Sequence, residues 1–260
     1  MEIVYELIIL AFLFSAGCVI GWGIEVIYRR FQPSNKERVW INPGFLVGPY
    51  LPLYGFGLVL LYLLAGLEQY IHIDNVVVQK LVLFGIMAVA MTLIELIAGE
   101  IFIVHMHIKL WDYTDNKWNY KGIICPKFSL CWALLGAVYY FLIHPHILNG
   151  LEWFSRNLLF SFVIGFFYGI FVLDLCYSFK AVEKIKKFAA ENEMVIRYEE
   201  LKKHIRQSAE QRKEKYRFML ALRTETSFSE YLKLYLEKQR EQQRMHKLND
   251  FIVKKIKNKE

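Results

Sequence analysis

The chain has 260 residues, is 55% hydrophobic and carries a formal net charge of +7. It contains no GxxxxGK[ST] phosphate loop, so it carries no Walker-type ATPase of its own, and GxSxG, HExxH and CxxC are likewise absent from the sequence. Its four cysteines, Cys18, Cys125, Cys131 and Cys176, fall in apolar runs or beside basic loops, which implies reduced thiols and no disulfide framework.

The charge is unevenly spread. Residues 180–260 hold 22 Lys and Arg against 13 Asp and Glu, while residues 1–179 hold 10 against 12. The basic surplus therefore belongs to the tail. Attraction to anionic lipid explains it more simply than nucleic acid, and no nucleic-acid partner is expected. A helix needs about 20 apolar residues to cross the hydrocarbon core. Five stretches meet or approach that length: roughly 3–28, 44–67, 77–104, 128–144 and 156–178. The expected fold is an all-α polytopic membrane protein. It has about five transmembrane helices with Gly/Pro-broken starts in a transmembrane domain over 1–179, and a helical, basic cytoplasmic tail over 180–260.

The first stretch does not read as a cleaved signal peptide. Glu2 and Glu6 stand where a basic region would, and the apolar core runs on to Tyr28 before Arg29-Arg30. Glu25 lies near its end, one helical turn from Arg29 and able to pair with it. Three small-xxx-small pairs, Gly17/Gly21, Gly44/Gly48 and Gly165/Gly169, let helix backbones approach closely, either inside the bundle or across a homodimer face.

The second stretch opens with Asn42-Pro-Gly-Phe-Leu-Val-Gly-Pro-Tyr-Leu-Pro-Leu-Tyr-Gly-Phe-Gly57. Both Pro and Gly break helices, and an unpaired backbone amide in lipid costs several kcal/mol. Such backbone survives only where it is buried in protein or lines a wet cavity. Asn42, Gly44, Gly48, Pro49, Pro52 and Tyr54 are therefore candidate substrate-binding or coupling residues.

Ionisable groups within spans are expensive and are functional candidates by default. Glu25, Glu95, Glu100 and Asp174 qualify. Glu95 ranks first: in Thr92-Leu-Ile-Glu-Leu-Ile-Ala-Gly99 it has no helical neighbour to pair with, so it must find a partner from another span or stay protonated. His105-Met-His107, with Asp112 nearby, fixes no third ligand by spacing, and no metal site or cofactor is assigned. The loop that follows supplies Trp111, Asp112, Tyr113, Asn119 and Gly122 as further candidates. Asp112 between two aromatics can order the loop or bridge to Arg29, Arg30 or Arg38.

A weak internal echo links the two halves of 1–132. Glu25 precedes Trp40-Ile-Asn-Pro-Gly, and Glu95 and Glu100 precede Trp118-Asn-Tyr-Lys-Gly, with 17 residues from Glu25 to Asn42 and 19 from Glu100 to Asn119. Paired interruptions of this kind point to a transporter's binding site. Further on, His144-Pro-His146 reads as a surface turn. Asp174 in the fifth stretch pairs with Lys180 or caps a packing interface. The 91 residues after Gly169 contain neither Gly nor Pro, which favours helix. The fifth span is thus expected to run on past the membrane. Ser227-Phe-Ser-Glu230 has capping-box spacing for a second tail helix, with Phe228, Leu232 and Tyr235 on one face and Met245, Leu248 and Ile252 following.

Lys and Arg sit in loops 29–43 and 105–127 and in the tail, and are missing from loops 68–76 and 145–155. By the positive-inside rule the N-terminus is outside and the C-terminus cytoplasmic.

One ordered set of motifs stands out. Gly21-Trp22-x-x-Glu25, Asn42-x-Gly-Phe-Leu-x-Gly-Pro-x-x-Pro-Leu-Tyr-Gly-Phe-Gly57, Glu95-x-x-x-Gly99, Trp111-Asp-Tyr113, Asn119-x-x-Gly-x-Ile-Cys125 and Ser129-Leu-x-Trp132 resemble the bacterial CmpB-like, "ABC-transporter type IV" permease family. The resemblance covers about residues 15–178. It implies a plasma-membrane transport subunit that works with a separate ATP-binding subunit. The chain departs from the family pattern at Pro43 and Ile123, where that pattern has arginine. Two rival readings follow from the residues alone. One is a membrane enzyme acting on lipid or envelope precursors at the cytoplasmic interface, with Asp112, Glu25 and Glu95 as acid/base groups. The other is a non-catalytic scaffold or sensor acting through the tail.

Overall fold

The computed structural model describes residues 2–33, 35–214, 216–224 and 226–257, with side chains described up to Met245. The second half of the expected tail face, Leu248 and Ile252, lies outside the described side chains. The chain forms two compact units, Met1–Arg197 and Tyr198–Glu260.

The first unit is almost wholly helical. Helix α1 spans Glu2–Phe31, α2 Pro52–Ala65, α3 Val76–Met106, α4 Pro126–Ala137, α5 His144–Ser155 and α6 Leu158–Glu191. A 3-10 turn, Gly66–Gln69, extends α2, and a π-helical turn, Val138–Ile143, joins α4 to α5. Five helical stretches are long and apolar enough to cross a membrane: Ile3–Phe31, Pro52–Gln69, Val76–Met106, Pro126–Phe154 and Leu159–Glu191. Apolar side chains point outward along them, including Val89, Leu134, Phe162 and Leu173. Such faces suit lipid rather than water. This is a multi-pass membrane protein.

Helices α1 and α2 form one hairpin, α3 and α4 another. The core between them is built from Leu61 and Ala65 of α2, Leu83, Met87 and Met91 of α3, and Trp132, Tyr139 and Tyr140 of α4 and the π turn. The Gly17/Gly21 pair is used inside the bundle. A β-carbon on Gly17 would lie 2.8 Å from the Tyr54 carbonyl oxygen, and one on Gly21 would overlap the Tyr54 ring. The Gly165/Gly169 pair is open, with nothing else among the described residues within 4 Å of a β-carbon at either position. Gly44/Gly48 is not on a helix at all; it lies in irregular backbone before α2.

His144-Pro-His146 is not a turn. It begins α5, with Pro145 in its first turn. Proline is tolerated there because its missing N–H falls where the ladder restarts, and the π turn just before it absorbs the mismatch. The Tyr139 hydroxyl lies 3.0 Å from His144 Nδ1.

Helix α6 runs on well past its apolar part, as expected. The Gly-free stretch after it is nevertheless broken twice. Glu193 (φ 49°) and Lys213 (φ 59°) take left-handed conformations. Met194 N–H donates to Ala189 O and Glu214 N–H to Ala209 O, the six-to-one bonds that close a helix end. After the first break, Ile196–Arg197 forms strand β2, pairing in parallel with Ile108–Lys109, strand β1, in register Ile108 to Ile196. Both isoleucines are fully buried.

The second unit is a helical pair, α7 (Tyr198–Gln211) and α8 (Phe228–Lys257). Ser227 caps α8, with Glu230 N–H 3.4 Å from its hydroxyl oxygen. Tyr231, Leu232 and Tyr235 form its buried stripe, and Phe228 is half-buried. The Tyr231 hydroxyl donates to Glu214 and the Tyr235 hydroxyl to Glu200.

Candidate functional site

Two irregular segments precede α2 and α4, and each is closed by its own polar side chains. In the first, Asn42 is buried; its Oδ1 accepts from Trp22 Nε1 at 2.7 Å, and its Nδ2 donates to Leu46 O and Val47 O at 3.2 and 3.0 Å. Asp174 of α6 reaches across to accept from Val47 N–H at 3.1 Å and Gly48 N–H at 2.6 Å, and Ser178 donates to the same carboxylate. Leu51 N–H donates to Cys18 O. Gly44 has φ +71°, and a β-carbon on Gly48 would overlap the Tyr50 ring. Pro49 lies in the irregular backbone, where Tyr50 N–H donates to Gly48 O across it, and Pro52 starts α2. The backbone that would be costly in lipid is thus satisfied inside the protein. Asp174 caps this segment, the second of the two roles expected for it, through Val47, Gly48 and Ser178.

The second segment, residues 107–125, starts where α3 ends on His107 in a left-handed conformation (φ 54°). Asp112 gathers it, accepting from Lys109 Nζ at 2.9 Å and Thr114 N–H at 3.0 Å, and pairing with Arg197 Nε at 3.1 Å. Burial pushes the Asp112 carboxyl up, but the bonds from Thr114 and Lys109 outweigh it and hold the group below the usual carboxylate range. The expected bridge from Asp112 to Arg29, Arg30 or Arg38 is not what forms; its basic partners are Lys109 and Arg197. Asn119 donates to Thr114 O and Asn116 O and accepts from Gly122 N–H. Gly122 has φ +68°, with Lys109, Asp112 and Thr114 crowding it. Trp111 Nε1 donates to Ile123 O at 2.8 Å, and Ile123 packs on Gly99, whose missing side chain makes the room.

This folding delivers one side chain to the bundle interior. Tyr113 donates to Glu95 Oε1 at 3.0 Å and stacks on Phe128, with centroids 4.2 Å apart and planes 8° from parallel. Glu95 is 2% exposed, and its Oε2 has no hydrogen-bond partner among the described residues, although the Trp132 indole lies beside the carboxyl. Burial, then the charges of Glu95 and Glu25, push the Tyr113 phenol well above its ordinary range, so it remains a donor. On the facing hairpin Tyr54 donates to Glu25 Oε2 at 2.9 Å, and Arg29 pairs with Glu25 Oε1 at 3.0 Å. Tyr54 also packs on Trp132 at 4.8 Å, and Tyr28 meets Phe128 edge-on at 6.1 Å. Glu25 and Glu95 lie within electrostatic reach of each other. Glu100 stands apart, paired with Lys121 at 2.6 Å.

The sequence candidates therefore separate into two groups. Glu25, Tyr54, Glu95 and Tyr113 converge on one cluster. Asn42, Gly44, Gly48, Pro49, Pro52, Trp111, Asp112, Asn119, Gly122 and Asp174 shape the two segments around it. Trp132, Phe128, Arg197 and Ser178 join without having been singled out as site residues. Ser178 carried a readable signal, one helical turn after Asp174; Arg197 carried none, since its partner is 85 residues earlier in the chain. Chemically the cluster offers carboxyl oxygens and aromatic faces, a setting for positive charge or hydrogen-bond donors.

The family model described as "Putative ABC-transporter type IV" matches residues 12–179, well over half of the chain. The chain belongs to that family. No curated protein and no solved structure matches it. The type IV family match takes in the whole cluster and both irregular segments, and it stops short of β2 and the tail. The family's description names an ABC-transporter component.

Proposed function

We propose that this type IV family member is the permease-like membrane subunit of an ABC-type transporter in the bacterial plasma membrane, driven by a separate ATP-binding chain. In this reading the Glu25–Tyr54–Glu95–Tyr113 cluster is where cargo binding or coupling acts. The segments around residues 32–51 and 107–125 and the tail face the cytoplasm, and the N-terminus lies outside. The observation that carries the reading is Glu95: a carboxyl 2% exposed, in a span, with no Lys or Arg paired to it among the described residues. A group so costly to bury is retained for what it does rather than for stability. The charge pattern of the loops supports the orientation.

The test is affinity purification of the full chain from its own membranes in mild detergent, with mass spectrometry of what accompanies it. A stoichiometric ATP-binding subunit is the expected result. Recovery of the chain alone, or with envelope-lipid enzymes, overturns the reading. In the recovered complex, Glu95→Gln should lower ATP hydrolysis by about tenfold or more while the complex stays assembled, a loss of ~1.4 kcal/mol per factor of ten. Undiminished hydrolysis would remove Glu95 from the mechanism.

A further inference from the structure

The cluster around Glu95 has an acceptor to spare and its hydroxyl donors committed. Tyr113 donates to Glu95 Oε1, Tyr54 donates to Glu25 Oε2, and Arg29 pairs with Glu25 Oε1. Glu95 Oε2 is buried with no donor among the described residues. Arg29 offsets one of the two carboxylates, and the other has no such partner among the described residues. An ionised carboxyl only accepts, so whatever completes Glu95 brings a donor with it. All of these residues belong to the first unit.

The surroundings are aromatic. Tyr113 stacks on Phe128 with centroids 4.2 Å apart, Tyr54 packs on Trp132 at 4.8 Å, and Tyr28 meets Phe128 edge-on at 6.1 Å. Ring faces are negative and attract cations, most strongly where water is kept out. Three classes of ligand separate on these grounds. An anion meets two carboxyls and two phenols whose protons are already given to them. A hard metal cation takes about six or more oxygen ligands, and no group of three His, Cys, Asp or Glu side chains able to hold a metal occurs among the described residues. An organic ammonium satisfies both features, with an N–H for the carboxyl oxygen and a charge for the rings. The Glu25 side chain is 20% exposed and Glu95 is 2% exposed, so the cluster deepens from Glu25 toward Glu95.

We infer that the cluster binds a small organic ammonium, primary or secondary, whose N–H donates to Glu95 Oε2 and whose charge lies among the rings of Tyr54, Tyr113, Phe128 and Trp132. As the class of cargo, this rests on the transport reading above; as a binding site, it stands on the cluster alone. The competing occupant of Oε2 is a proton, and the experiment separates the two.

The probes are ethylamine, butylamine and phenethylamine, each compared with the alcohol of the same skeleton at neutral pH and constant ionic strength. The full chain, purified in mild detergent, is titrated with each, and its thermal unfolding midpoint is followed, since a ligand that binds only the folded state raises the midpoint with concentration. At least one amine should raise it saturably while its alcohol does not. Glu95→Gln should weaken the apparent affinity by about tenfold or more, the loss expected when one partner of a buried charge pair is neutralised. Glu100→Gln should leave it unchanged, because that carboxyl pairs with Lys121 away from the cluster. An equal response to amine and alcohol, or a response that survives Glu95→Gln, overturns the proposal. So does silence toward all three amines, which is what a carboxyl completed by a proton alone would give. The comparison of amine with alcohol needs no variant, so it decides the matter even where Glu95→Gln fails to fold. Saturable amine binding by a chain that recovers no ATP-binding subunit would sink the transport reading and keep the site; a recovered subunit with no amine response would do the reverse.

Discussion

Asp174 shows how an intramembrane charge can be structural and Glu95 how one can be left over. The Asp174 carboxylate takes two backbone N–H groups and a serine hydroxyl, so its charge is spread over three donors. Asp174→Ala should cost on the order of 2 kcal/mol, since buried amides left unpaired cost about 1–3 kcal/mol each. Asp174→Asn keeps one acceptor oxygen and should cost less. Thermal unfolding followed by fluorescence-detected size exclusion reads the ranking; equal midpoints for both variants would mean the amides find other partners. The sequence placed both carboxylates within apolar stretches, where a charge is costly. It did not separate them, because the deciding donors come from residues 126 and 127 positions away in the chain for Asp174 and 18 away for Glu95.

At the scale of elements, glycine means different things on different helices. Gly21 lets α1 touch the Tyr54 ring, and that contact seats Tyr54 against Glu25 and Trp132. Gly23, two residues on, has nothing among the described residues within 4 Å of a β-carbon. Gly21→Ala should therefore overpack the α1–α2 seam and cost roughly 1–3 kcal/mol, whereas Gly23→Ala should be neutral or gain up to about 1 kcal/mol from helix propensity. A shared melting temperature for the two variants would contradict this seam. Element identity was legible for the long apolar stretches because their length alone decides it. Element ends were less so. The stops at Glu193 and Lys213 use left-handed residues other than glycine, and the turn expected at Pro145 is helix because a π turn precedes it. Composition cannot reveal either, since both depend on which backbone groups find partners in the folded chain.

At the scale of the molecule, the first unit reads as two hairpins, α1–α2 and α3–α4, each joined by an irregular segment that an asparagine folds and a positive-φ glycine turns: Asn42 with Gly44, and Asn119 with Gly122. The echo in the sequence thus has a local counterpart, although only the second segment carries a tyrosine that reaches the buried carboxyl. Both segments, and the β1–β2 pair beyond them, lie at the end of the bundle that carries the basic loops and the last residues before α7. In the orientation proposed above, from the positive-inside preference, such an end lies in the cytoplasm. The prediction is that a fluorescent protein fused after residue 257 is bright and alkaline phosphatase fused there is inactive, while phosphatase fused after residue 72, in the loop between α2 and α3, is active. The reverse pattern would put Glu95, Tyr113 and the tail outside. An ATP-binding partner could not then reach them, and the charge argument and the transporter reading would fail together.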